Sequence, residues 1–133
     1  MGQPAAKDGD QVVGTDTHIV LVPAGPSLVP TPLPHPFVGQ LDSALAASVV
    51  IEGKAAAVVG STASHTSGHV PTPPGTSFQK PPSNSGTVQV GSSTVLVEGK
   101  GLARSADPVQ TCNDPADAPV SSIVASGTVM VGG

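Results

Sequence analysis

Four histidines and one cysteine hold most of the chemistry open to this chain: His18, His35, His65, His69 and Cys112. Imidazole nitrogen and thiolate sulfur are donors that a tetrahedral zinc site takes, and three of these histidines with the cysteine would complete one. No CxxC pair, and no HxxxH pair on a helix, marks the set, so the ligands would have to be gathered by the fold. The plain reading is that a histidine in a Ser/Thr-rich run such as STASHTSGH is solvated, and that a lone cysteine is a small buried hydrophobe. Hydrolysis at zinc needs an open metal position and a carboxylate base. Asp16, two residues before His18, is the only carboxylate close in sequence to a histidine.

Two matched boxes accompany these residues. VPTPLPHPF (29 to 37) returns as VPTPPGTSF (70 to 78), and the boxes hold the only phenylalanines, Phe37 and Phe78, in a chain without Trp or Tyr. His35 lies inside the first box and His69 directly before the second. Proline fixes φ and limits the freedom that folding must remove. The boxes are therefore expected to be loops that pin His35 and His69, with Phe37 and Phe78 as equivalent anchors, each burying a ring under its loop.

The scaffold for those loops is itself repeated. SVVIEGKAAAVVG (48 to 60) is echoed by TVLVEGKGLARSA (94 to 106), a hairpin pattern turning at Glu-Gly-Lys. PAAKDGD (4 to 10) aligns with AAAVVGS (55 to 61) and GLARSAD (101 to 107), and GTVQVGS (86 to 92) returns as GTVMVGG (127 to 133). The chain reads as three copies of one β-unit, the first split between its two ends. It is expected to be all-β, a small pointed cone of three pseudo-repeated hairpin units. Proline is excluded from sheet interiors, so its clusters predict loops at about 23–47, 66–85 and 108–122 within a single domain over residues 1–133. The run LDSALAAS (41 to 48) is also expected to be loop.

Composition narrows the function. With 16 Gly, 15 Pro and two aromatics, a thick core is out of reach. Charge is low and the valines cluster, which argues against disorder. Five scattered basic residues and a net charge of −4 exclude a phosphate-binding patch, so nucleic acid is not an expected partner. Thr17 to Leu41 carries no Asp, Glu, Lys or Arg, yet six prolines break any helix that could cross a bilayer there. The N-terminus shows no signal-peptide pattern, and a single cysteine forbids an internal disulfide, which points to synthesis in a reducing cytoplasm. A domain with so thin a core calls for a staple, and a metal would supply one.

PAAK followed by DGD, the VIEGKAAAVVG and VLVEGKGLARSAD units and the recurring G-S-x-T-V strand resemble the PAAR-repeat proteins, over nearly the whole chain from Pro4 to Gly133. The long proline boxes make it most similar to members from phage-tail-like extracellular injection systems. The resemblance implies a β-cone that caps the trimeric spike of a contractile injection machine, one copy per trimer. It also implies zinc held by three histidines and a cysteine, with iron left open as the metal. On that pattern Cys112 and His18 are ligands, and His35 and His69 are chosen for the other two places because the VPTP boxes hold them, with His65 as the alternative. The motif's Arg is Lys7 in the first copy, and the second copy ends Gly60-Ser61 where Gly-Asp is usual. The implied function is a non-enzymatic spike tip, assembled in a bacterial cytoplasm and released with its particle, that touches a target membrane transiently. The alternatives are a small zinc enzyme, or an adaptor for an effector, which would be a separate chain because GTVMVGG carries no toxin-like extension.

Overall fold

The computed structural model describes residues 2–132; Met1 and Gly133, the two ends of the expected 1–133 domain, lie outside the described residues. Among the described residues there are strands and no helix. In chain order they are β1 (Gln3–Pro4), β2 (Gln11–Ala24), β3 (Ser27–Ser43), β4 (Ala46–Ile51), β5 (Lys54–Ala56), β6 (Thr62–His65), β7 (Ser77–Phe78), β8 (Ser85–Val88), β9 (Leu96–Val97), β10 (Lys100–Gly101), β11 (Pro108–Thr111), β12 (Ala118–Val124) and β13 (Met130–Val131). The main sheet runs β12-β11-β8-β6-β3-β2, and β12 pairs again with β2, so six antiparallel strands close on themselves. Closure removes most of the free sheet edge. The six strands are three pairs, β2/β3, β6/β8 and β11/β12, one after each copy of the repeated unit.

The repeat alignment is written in hydrogen bonds. Ala6 N–H donates to Ala103 O at 2.9 Å, Ala103 N–H to Ala57 O at 2.9 Å, and Ala57 N–H to Ala6 O at 3.0 Å, a closed triangle of equivalent residues. One residue on, Lys7 N–H donates to Asp10 Oδ2 at 2.9 Å, Arg104 N–H to Asp107 Oδ2 at 2.8 Å and Val58 N–H to Ser61 Oγ at 3.0 Å. Ser61, the departure in the second copy, thus does with a hydroxyl what the other copies do with a carboxylate. The interior holds the same triplets: Ala6, Ala57 and Ala103; Val12, Ala63 and Val109; Leu41, Val88 and Ile123, all buried in one cluster with Phe37. Alanine is small enough for the place where three backbones meet so closely, and the larger valine, leucine and isoleucine side chains fill the levels beyond. The Glu-Gly turns also match: φ is 52° and 84° at Glu52-Gly53, and 53° and 78° at Glu98-Gly99. Positive φ at both positions is the two-residue hairpin turn that glycine makes accessible.

The first expected proline loop, 23–47, is instead mostly β3, the longest strand in the fold, and β4 begins at Ala46 within the remainder. The prolines survive there because they alternate. Pro30, Pro32, Pro34 and Pro36 sit at even positions. The even-numbered carbonyls of β3 point away from β2: Pro34 O accepts from Thr72 Oγ1, Pro36 O lies 3.0 Å from His65 Nε2, and Val38 O accepts from Thr66 N–H. Every missing N–H therefore falls on the outer edge, and the ladder to β2 runs unbroken from Gln11↔Gln40 to Ala24↔Ser27. The span 41–48, also expected to be loop, is the end of β3 and the start of β4. The third expected loop, 108–122, is largely β11 and β12, whereas 66–85 is irregular apart from β7 and the first residue of β8.

Candidate metal centre

Alternation along β2 sets up the site. Val12, Asp16, His18 and Val20 all face inward, since residues two apart share a face. On β3 the inward residues are Leu41, Phe37 and His35. The third copy adds Cys112 just past the end of β11. The irregular segment after β6 adds His69, whose backbone N–H is held by Asn84 Oδ1 at 2.8 Å.

Four of these side chains converge. Asp16, His18, His69 and Cys112 each place one ligand atom within 4.8 Å of the others, and this group could hold a metal ion. Asp16 is fully buried and well supplied with donors: Thr111 Oγ1 and Asn113 Nδ2 at Oδ1, His69 Nε2 at 2.8 Å and Cys112 Sγ at 3.6 Å at Oδ2. A buried carboxylate is tolerated only when it is so compensated. His18 is the opposite case. It is 1 % exposed, and neither ring nitrogen has a hydrogen-bond partner. An orphaned imidazole beside a thiol, a second imidazole and a carboxylate is a donor set that fits a divalent ion of borderline softness. Burial lowers the His69 pKa and raises that of Cys112, so both favour their uncharged forms; the Cys112 thiol, and the His69 nitrogen that donates to Asp16, would each give up a proton to bind a metal.

The structure does not bring His35 into this group. Its Nδ1 lies 2.9 Å from Leu33 O, and its Nε2 accepts the N–H of Thr72 at 3.1 Å. With both nitrogens engaged by backbone, His35 works as a clasp: Thr72 of the second VPTP box docks on His35 and on Pro34 O of the first. His65 lies outside the group too, its ring 4.5 Å from that of His69, with Nε2 on Pro36 O and a buried Nδ1 that has no partner. The phenylalanines are not equivalent anchors. Phe37 is a fully buried strand residue against His65 and His69, whereas Phe78 on β7 is partly buried against His18 and His35. Together they bracket the histidines from two sides. Asp16 was missing from the sequence-based ligand set, although the D-x-H spacing on an alternating strand was its signal.

No family model, curated protein or solved structure matches this chain.

Proposed function

We propose that this chain is a non-enzymatic spike-tip protein that seats on a three-fold-symmetric partner, one copy per trimer, as in contractile injection systems. The observation that carries this reading is a three-fold set of exposed apolar side chains. Val49, Val95 and Val129 are 37 %, 38 % and 41 % exposed, and Val50, Leu96 and Met130 are 62 %, 62 % and 60 % exposed. Val50, Leu96 and Met130 occupy matching places in the short pairs β4/β5, β9/β10 and β13/β1, opposing Ala55, Gly101 and Pro4, and Val49, Val95 and Val129 directly precede them in sequence. Apolar groups repeated this way suit a partner with three identical binding surfaces. The hairpin of β2 and β3, uncharged from Thr17 to Leu41, lowers the desolvation penalty of a forced, transient entry into a target bilayer. No helix among the described residues is long and apolar enough to cross a membrane. The chain would be assembled in a bacterial cytoplasm and leave it with its particle.

Zinc is the metal we assign to the donor group, with Asp16, His18, His69 and Cys112 as its holders; iron is the competing choice. A structural role is favoured because Asp16, His18, His69 and Cys112 would together fill a tetrahedral shell and leave no position open for a water. Native mass measurement of the chain co-expressed with a trimeric injection-system spike protein tests the main reading. One copy per trimer is expected, lost on combining Val50→Asp, Leu96→Asp and Met130→Asp. Three copies per trimer, or no complex with the unaltered chain, overturns it. Elemental analysis decides the metal.

A further inference from the structure

The metal reading leaves one question open at His18: which of its two unpartnered nitrogens faces the ion, and what fixes the ring. The segment following Cys112 answers it. Asn113 Oδ1 accepts the N–H of Thr17 at 2.7 Å, Asp114 N–H donates to Thr17 O at 2.8 Å, and Ile19 N–H donates to Asp114 Oδ2 at 2.9 Å. These bonds stitch residues 113 and 114 to β2 on both sides of His18. The Asp114 side chain is 5 % exposed, and its Oδ2 lies 3.5 Å from His18 Nδ1. It borders a cleft of about 250 Å3 together with His18, Cys112, Lys80 and Asp117. A carboxylate with only one backbone partner, set against an imidazole nitrogen that has none, is an acceptor placed for that nitrogen's proton.

We propose that Asp114 is the positioning residue of the metal centre: its carboxylate accepts a hydrogen bond from Nδ1–H of neutral His18, which would leave Nε2 as the nitrogen free to bind the ion. Partners of this kind fix the tautomer and the orientation of ligating histidines, and removing one costs about 10–100-fold in affinity. The inference rests on the metal reading above and extends the site by one residue. It also explains why the third copy, which has no box of its own, supplies both Cys112 and the brace for His18.

The test is zinc affinity by chelator competition, paired with the melting temperature of the metal-stripped protein and the ligand-field spectrum of the Co2+ form. Asp114→Asn is expected to weaken zinc binding by about 10-fold and Asp114→Ala by up to about 100-fold. The Co2+ bands shift in both, and Asp114→Asn leaves the stripped protein's melting temperature near that of the unaltered chain. Asp117→Asn, on the same cleft, leaves affinity and spectrum unchanged. If Asp114→Ala does not fold, Asp114→Asn carries the test alone. Unchanged zinc affinity in Asp114→Asn overturns the proposal, as does weaker binding that only tracks a lower melting temperature with an unshifted Co2+ spectrum. An unaltered chain that binds neither Zn2+ nor Co2+ would instead sink the metal reading itself.

Discussion

The two ends of the closed sheet obey different rules. Around Ala6, Ala57 and Ala103 the three copies contribute the same atoms to the same bonds, and a substitution in one copy, Ser61 for aspartate, is absorbed by an equivalent hydrogen bond. Around His18 the copies contribute unequally: the first gives Asp16 and His18, the second His69, the third Cys112 and Asn113. Three-fold backbone symmetry can build a scaffold from repeated sequence, but a carboxylate, two imidazoles and a thiol cannot be produced by repeating one donor. The site therefore depends on what was inserted between the copies, and Thr72, Asn84 and Asp114 are as decisive there as the donors.

The largest blow to the asymmetric end is Cys112→Ser. It should abolish stoichiometric zinc binding and remove the stabilisation that bound metal confers, about 4 kcal/mol when zinc stands at 1,000 times its dissociation constant. Metal content and melting temperature are measured together, and a variant that keeps both would show Cys112 to be packing only. His18→Ala should likewise empty the site, whereas His35→Ala should keep its metal and lose about 1 kcal/mol through the unpaired Thr72 N–H. Release of zinc by His35→Ala with retention by His18→Ala would reverse the ligand assignment.

At the symmetric end, Ala57→Leu pushes three methylene-scale groups into the point where the backbones meet. Overpacking there should cost about 1–3 kcal/mol in denaturant unfolding without altering zinc per chain. Unchanged stability would mean that the alanine triangle is not a tight contact.

The smallest effect is that of pH on the metal-free chain. Burial holds the pKa of His35 and of His69 below the ordinary 6.5, so the unfolded chain takes up protons first as the pH falls. Their contribution is complete above about 6.5 and is lost below it. Burial holds Cys112 above 9.0, so its contribution is present below that pH and fades above it. Melting temperature should fall on both sides of this window, and a rise between pH 6.5 and 5 would contradict the assignment.

The scaffold was legible in the sequence because it is local and repeated: the Glu-Gly turns and the PAAKDGD, AAAVVGS and GLARSAD units align as the hydrogen bonds do. His18 and Cys112 were named from residue type and resemblance, and His69 from the VPTP box that follows it, whereas the repeat register pointed to His65; the fold gathers His18, His69 and Cys112 with Asp16. β3 was not, because proline disqualifies a strand only when its missing N–H is needed, and which side that N–H faces depends on the neighbour. The role of His35 was equally hidden, since its fate is decided by Thr72, distant in sequence.

The alternating prolines of β3 reach beyond the site. Between Pro30 and Pro36 the outer margin of the strand presents carbonyl oxygens with no proline N–H among them. A second chain laid alongside would find half of each rung missing, so this stretch is a poor template for fibril growth. The longest extended segment of the protein thus lacks, along this margin, the donors by which a strand recruits copies of itself.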